Sequence, residues 1–343
     1  MDYLKQDFEM SLTHFLLNGF QLNPDYYGCP DDVTLRPPGM RRPFWGSYFF
    51  WSGMLILILY LICFIAIATH DLMKTPAYKI MFVLGIYDLS SVFMDSIVTG
   101  ILGFFGVAFC DAPRFIFVMG ALGYGSWMGC CITSLMLAVI RICDVRPKMK
   151  IRKLYSGRRI YFFVVLCLIY GLSAGLFTKP ITFSSMYMSW FFDPGVGKDP
   201  KLYRNIFHTF NNCSMAIGTV ALYGYLAYIF LNKNGTFNAN QLSRYQTRVL
   251  FQAVLFCIFP LISSIMYTYM QYVSAPEFLI IIGQIAWQFG SGSVCLVYLT
   301  LNRSIRKAVF QLIHPQELVK VGQVPAIASS DSRAQESSMV QVG

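Results

Sequence analysis

Two carboxylates, Asp88 and Asp95, lie in a stretch from Ile80 to Leu102 that carries no other charge. A charged group in hydrocarbon costs at least about 2.5–3.5 kcal/mol on insertion scales, so acids in such a setting are informative. Seven residues is nearly two helical turns, which puts both on one helix face. Asp95 lies about 10 Å beyond Asp88 along the axis, at 1.5 Å per residue. Asp88 can anchor an inter-helix polar network or hold an ion, while Asp95 borders a cavity. The alternative is two acids hydrogen-bonded inside a helix bundle without any ligand.

Other polar and aromatic groups recur near the ends of apolar blocks. They are His208, Asn211 and Asn212, then Tyr267, Tyr269 and Gln271, then Gln284, Trp287 and Gln288. Converging from several helices, such groups line a small-molecule cavity. Taken singly, each also fits a membrane interface or ordinary packing. Pro260 removes a backbone donor from its helix, and Gly290-Ser291-Gly292-Ser293 loosens another; either site reads as a hinge or a static kink.

The chemistry that is missing narrows the class. The four histidines, His14, His70, His208 and His314, are scattered, and only His208 falls in an apolar block, which is too few for an intramembrane metal hydrolase. The last apolar block has no lysine for a retinal Schiff base. No Gly-rich phosphate loop, nucleophile elbow or paired-Cys metal spacing occurs. The chain reads as a non-enzyme needing no cofactor and no resident metal, with an ion at Asp88 left open.

The scaffold that holds these residues can be read from composition. The chain has 343 residues, 56% hydrophobic and 13% charged, with mean hydropathy +0.52. Soluble domains carry about 25% charged residues. The apolar residues fall in seven blocks near 46–68, 80–102, 115–140, 160–178, 206–231, 249–272 and 278–301. Each meets the roughly 20-residue length of a membrane-crossing helix. The expected fold is an all-α membrane protein, a seven-transmembrane helix bundle. Residues 1–45 read as an extracellular N-terminal segment without signal-peptide character, and 46–301 as the seven-helix domain. Residues 302–314 read as a cytoplasmic amphipathic helix with Ile305, Val309, Leu312 and Ile313 as its apolar stripe, and 315–343 as a disordered tail.

Two thirds of the 27 Lys and Arg lie on the side of the tail, eight of them between Arg141 and Arg159. The positive-inside bias puts the N-terminus outside. A net charge of +10 therefore reflects topology and attraction to membrane lipid, not nucleic-acid binding. Of ten cysteines only Cys29 and Cys110 face the oxidising side on this topology, and they are either the pair for an outer disulfide or free thiols. A receptor fits these features; the competing class is a seven-span small-solute transporter or ligand-gated channel.

Local patterns along residues 26–310 carry a resemblance. They are Tyr27-Gly28-Cys29-Pro30, Leu84-Gly85-Ile86-Tyr87-Asp88, Cys110 with Pro113, and Trp127-Met128. Leu137-Ala138-Val139-Ile140-Arg141 and Tyr298-Leu299-Thr300-Leu301-Asn302-Arg303-Ser304-Ile305-Arg306 complete the set. In order and spacing the chain resembles the nematode serpentine chemoreceptors of class T, a family of G-protein-coupled receptors. The resemblance implies a chemosensory receptor for a small odorant or pheromone in the plasma membrane, in the cilium of chemosensory neurons, acting on a heterotrimeric G protein.

Residue by residue, Arg141 matches the inner third-span arginine of rhodopsin-like receptors, which restrains the inactive state and then meets the G protein. Ile140 stands where an acidic partner precedes that arginine, so the usual ion pair is absent from this pattern. Tyr298 matches the tyrosine of their Asn-Pro-x-x-Tyr segment, although Val294 and Cys295 replace its first two residues. Asp88 matches the second-span acid that holds sodium in such receptors. The second outer loop, 181–205, has no cysteine, which leaves Cys29 as the implied mate of Cys110.

Overall fold

A computed structural model describes residues 2–146, 148–232 and 244–314. Three short helices open the chain: α1 (Asp2–Glu9), α2 (Leu12–Leu17) and α3 (Pro24–Tyr27). Long helices come next: α4 (Pro43–Thr69), α5 (Pro76–Val92) and its continuation α6 (Thr99–Phe105), then α7 (Pro113–Val145) and α8 (Ile160–Phe177). After these come α9 (Ile206–Asn232), α10 (Arg244–Tyr272), α11 (Glu277–Leu301) and the short α12 (Arg303–Ile313). Proline occupies the first turn of α3, α4, α5 and α7, where the missing N–H has no helical partner to lose. Gly106 ends α6 at φ +74°, the left-handed C-cap that only glycine adopts without strain.

Among the described residues, five helical stretches are long and apolar enough to cross a membrane: Pro43–Thr69, Pro76–Phe105, Pro113–Val145, Gly157–Phe177 and Glu277–Leu301. α9 and α10 have 27 and 29 residues, long enough to match them. Trp51, Phe162, Ile169, Phe210 and Ile217 stand at least half exposed on the bundle's flanks, a surface that suits lipid and not water.

α7 extends to Val145, past the expected end at Ile140, so Arg141 lies one turn inside a helix and not at its terminus. α7 and α8 approach closely because both are small at the crossing. A Cβ on Gly125 would come 2.9 Å from the Gly171 carbonyl oxygen and 3.1 Å from the Gly175 Cα. Small residues at a crossing are how helices gain packing in lipid, where the hydrophobic effect does not separate helix from solvent.

Two large hydrophobic clusters, with a small third of Ile142, Leu226 and Ile229, form the interior. One, around Phe117, Tyr124, Trp127, Trp190 and Trp287, fills the end that carries α1–α3 and a two-stranded hairpin. The other, around Tyr60, Leu84, Tyr87, Ile140 and Tyr298, fills the opposite end. α12 docks there through Ile305, Ala308 and Val309; its N-terminus is capped by Asn302, whose side chain accepts from the Ser304 and Ile305 amides. Of the expected apolar stripe, Ile313 faces outward at 57% exposure.

The hairpin pairs β1 (Thr182–Ser184) with antiparallel β2 (Ser189–Phe191), Phe183 opposite Trp190. Neither strand is expected from the apolar blocks. The N-terminal segment is folded over the same end. Thr13 Oγ1 donates to the Leu176 carbonyl at 2.8 Å, and Tyr27 OH to the Met10 carbonyl at 3.3 Å. Cys29 and Cys110 are joined by a disulfide, tying this segment to the loop before α7. Arg42 Nη2 meets Glu277 Oε1 at 3.0 Å and donates to the Met186 carbonyl at 2.8 Å, joining α4, α11 and the hairpin turn. Asp7 and Lys179 form a buried ion pair at 2.9 Å, with side chains 5% and 1% exposed.

Candidate functional site

The second long helix is not a regular α-helix. Between α5 and α6, Phe93–Val98 is π-helical, and Asp95 lies in it. A π turn inserts a residue into the helical repeat, rotates the face presented by the next turns of the helix, and occurs often at functional sites. The two acids accordingly find different partners. Asp88 accepts from Tyr60 OH of α4 at 2.6 Å and from Cys130 Sγ of α7 at 3.1 Å. Asp95 accepts from Ser96 and Ser91, and Ser91 Oγ in turn receives Trp287 Nε1 at 3.0 Å. The backbone carbonyl of Asp95 accepts from Gln284 Nε2 at 2.8 Å. Gln284 Oε1 then receives Tyr267 OH at 2.6 Å and Ser189 Oγ at 3.1 Å. Thr99 also belongs to this irregular region: its hydroxyl bonds the Met94 carbonyl and receives Trp190 Nε1 at 2.8 Å. The hairpin is therefore seated on the π segment by two side chains, Ser189 through Gln284 and Trp190 through Thr99.

A cavity of 610 Å³ opens at this end, between the hairpin and the ends of α7, α9, α10 and α11. That volume lies within the roughly 300–1,000 Å³ of small-molecule sites. Its wall is aromatic: Tyr124 and Trp127 from α7, Trp190 and Phe192 from the loop, Tyr267 and Trp287 from α10 and α11. The rings meet edge to face, Trp127 with Trp287 at 6.1 Å and Tyr267 with Trp287 at 5.4 Å. Edge-to-face pairs are the favoured arrangement of ring quadrupoles and stiffen the wall. His208 of α9 is set between Phe192 at 5.1 Å and Tyr124 at 5.9 Å. Asp193 and Arg204 also contribute to the lining, one charge of each sign. Burial moves the Asp193 carboxyl up, against a backbone bond from Gly195 that pulls it down.

Of the nine expected ligand residues, three reach the wall: His208, Tyr267 and Trp287. Asn212 stands behind His208 and Gln284 behind Tyr267, each buried and each hydrogen-bonded to the residue in front of it. Asp95 is one step further back, 0% exposed, and holds the π segment instead of bordering the cavity. Asn211 accepts from Tyr170 OH of α8 at 3.1 Å, and Gln288 donates to Ser52 of α4 at 2.8 Å; both tie helices together away from the wall. Tyr269 is 42% exposed and absent from the lining, because it lies two residues from Tyr267 and so falls on another face of α10. Gln271 lines the cavity and is engaged with Thr209 and Asn205.

Trp190, Phe192, Tyr124 and Ser263 are wall residues that the sequence does not single out. For Trp190 a signal existed: Thr-Phe-Ser and Ser-Trp-Phe flank a short connection between alternating polar and apolar positions, a hairpin pattern.

A second, smaller cavity of 20 Å³ lies deeper, between Asp88, Cys130, Ser134, Pro260 and Ser291. It is the size of one water. Asp88, Ser134 and Ser291 are the oxygen-bearing side chains of its lining. Trp127 lines both cavities and separates them. A Cβ added at Gly290 would lie 3.7 Å from Pro260, so the two irregular points of α10 and α11 face each other.

At the far end, Arg141 Nη2 points to Met81 Sδ at 3.8 Å, and among the described residues no carboxylate lies within ion-pair distance of it. Tyr298 is 1% exposed with its ring 6.2 Å from that of Tyr60, which places it one residue from Asp88 through hydrogen bonding and ring contact. The sequon Asn234-Gly235-Thr236 and the serines of the tail lie outside the described residues.

The comparisons with known proteins agree with this architecture. Residues 10–321 match the family described as serpentine type 7TM GPCR chemoreceptor Srt. Serpentine receptor class T-55 of Caenorhabditis elegans is 22% identical over 296 residues, which cover 86% of this chain and 81% of that protein. The chain belongs to the Srt family of serpentine chemoreceptors and is a multi-pass membrane protein.

Proposed function

Given that membership, we propose that the chain is a plasma-membrane chemosensory receptor. It crosses the bilayer seven times with its N-terminus outside, takes a small molecule into the aromatic cavity, and activates a heterotrimeric G protein at the Arg141 end. The observation that carries this reading is the arrangement along α7. Trp127 borders the cavity at the end bearing the disulfide, and Arg141 sits without an ion-pair partner at the other end, among the described residues. A disulfide belongs on the oxidising side, which supports the outward assignment of the cavity.

The mechanism is a shift between two packings of the bundle. A ligand pressing on Trp127 acts on a group that also borders the small cavity at Asp88 and Pro260, and one pressing on Trp287 acts on its hydrogen bond to Ser91 of α5. Proline at that point leaves the α10 backbone without one hydrogen bond, so bending there is less costly than elsewhere in the helix. Movement of α10 against α11 would open the inner end around Arg141 and Tyr298. The basic stretch 141–159 and the outward Arg303, Arg306 and Lys307 of α12 would hold that face to anionic lipid and to an acidic partner surface.

Nucleotide exchange on a co-expressed heterotrimer, read across a panel of small odorants, tests the proposal. A response that disappears in Arg141→Ala at equal surface expression is the expected result. Exchange unchanged by Arg141→Ala would overturn the role given to Arg141, and saturable uptake or a ligand-gated current without exchange would instead mean a transporter or channel.

A further inference from the structure

The hydrogen bonds behind the cavity wall determine which atom of His208 meets the ligand. Asn212 Oδ1 receives Trp127 Nε1 at 2.8 Å, and an indole nitrogen only donates. Asn212 Nδ2 points to the Ser264 carbonyl at 3.3 Å, and a carbonyl only accepts. These two partners fix the amide's orientation without ambiguity, the usual difficulty with asparagine. Asn212 Nδ2 is therefore also the donor to His208 Nε2, at 3.1 Å. A ring nitrogen that accepts carries no proton, so the imidazole is neutral and its proton is on Nδ1. Nδ1 has no hydrogen-bond partner among the described residues, although His208 is 4% exposed and lines the cavity.

Ser263, 1% exposed and in the same wall, also has an unpartnered hydroxyl among the described residues. The Tyr124 hydroxyl, in the same wall beside His208, is likewise without a partner among the described residues, whereas Tyr267 is engaged with Gln284 and Ser189, and Gln271 with Asn205 and Thr209. The wall residues thus include one oriented N–H donor and two hydroxyls, all buried and without a partner among the described residues, set among aromatic rings. Buried polar groups are hydrogen-bonded in native proteins, and an unmet donor inside a binding site marks where a ligand acceptor belongs.

We infer that the cavity takes a neutral, largely apolar molecule with a carbonyl or ether oxygen, and that this oxygen accepts from His208 Nδ1–H. The ligand class rests on the receptor reading of the cavity; the tautomer does not. A cation is disfavoured because the donor would face it proton to proton. A carboxylate would accept, but it would give up its hydration in a mostly aromatic wall that also carries the negative Asp193.

Two measurements on full-length receptor in nanodiscs test this. Nitrogen-15 NMR of histidine-labelled receptor at pH 7, with the His208 signals assigned by their loss in His208→Phe, should show a protonated Nδ1 and a bare Nε2. An imidazolium, or the proton on Nε2, overturns the inference whatever the ligand. Ligand-observed NMR then compares four probes of one shape: acetophenone, ethylbenzene, 1-phenylethylammonium and benzoate. Acetophenone should bind about ten-fold tighter than ethylbenzene, the worth of one net hydrogen bond, and tighter than either ion. In His208→Phe its advantage should vanish while ethylbenzene binds as before, which also shows that the variant is folded. Equal binding of acetophenone and ethylbenzene to wild type, tightest binding by an ion, or binding by none of the four overturns the ligand class. None of these readouts involves a G protein, so failure of coupling and failure of this inference remain separate results.

Discussion

Replacing Lys179 with methionine should release the N-terminal cap from the bundle while leaving the bundle folded. The ammonium of Lys179 joins Asp7 of α1 at 2.9 Å and also donates to the Leu202 carbonyl at 2.7 Å and the Arg204 carbonyl at 3.3 Å. Asp7 has no other hydrogen-bond partner among the described residues. Removing one member of a buried ion pair costs about 3–5 kcal/mol, because the remaining charge stays dehydrated and unpaired. The structure makes the two removals unequal. Lys179→Met strands a carboxylate with nothing to receive, whereas Asp7→Asn leaves Lys179 two carbonyls, so the first should cost more.

Any such cost falls on cap docking, which hydrogen exchange at the amides of α1 and α2 reads directly. At about 1.4 kcal/mol per factor of ten, Lys179→Met should lower protection there by on the order of 10²–10⁴-fold. Asp7→Asn, the neutral counterpart of the protonated acid, should leave protection at or above the wild-type level, and the double variant should recover much of the loss of Lys179→Met because no buried charge is left unpaired. Wild-type protection in Lys179→Met, or a double variant no better than Lys179→Met, would refute the reasoning.

The same pair has a pH signature. Burial moves the Asp7 carboxyl up from its ordinary value and outweighs the pull of Lys179 in the other direction. A carboxyl that is harder to ionise docked than undocked takes up its proton first in the docked state. Docking should therefore strengthen as pH falls through the docked value, and stay level above it. An exposed ion pair would weaken on the same titration.

Cys29→Ser should destabilise the capped end by at most about 4.5 kcal/mol, the chain-entropy value for the 81-residue separation it closes, and Cys110→Ser should match it; thermal unfolding with and without reductant measures both. Gly125→Leu should prevent the α7–α8 approach and lower the melting temperature, since its Cβ alone would lie 2.9 Å from a backbone oxygen. Gly224→Ala, where nothing lies within 4 Å of the added carbon, is the control. On the proposed topology the Asn234 sequon is cytoplasmic and should carry no glycan in cells; a glycan there would reverse the proposed orientation.

Much of the bundle was legible from hydrophobicity because a helix in lipid must be apolar along its whole length, whatever it touches. The long blocks and the pair of acids in the second could be read that way. What side chains do inside the bundle was less legible. Asp88 and Asp95 fit one face by spacing, yet the π turn at Phe93–Val98 sends them to different partners, and nothing in Phe-Met-Asp-Ser-Ile-Val marks that turn. The polar residues His208, Tyr267 and Trp287 could be chosen as ligand contacts, but so could Tyr269, which faces away. Their rotation about the helix axis is set by packing, not by composition.

The information in the bare chain is one-dimensional: which stretches are apolar, where the basic residues gather, which family the motifs resemble. Everything that depends on residues distant in the chain meeting came from the folded bundle. Asp7 and Lys179 read as ordinary surface charges until the N-terminal segment and the loop after α8 come together around them. Trp190 becomes a wall residue only when its hairpin is seated on Thr99 and Gln284. The direction of the His208 proton depends on three helices at once, because each hydrogen bond in the set Trp127, Asn212, Ser264 and His208 constrains the next. Such bonds are directional and short, so their pattern exists only once the backbones have brought donor and acceptor within about 3 Å of each other.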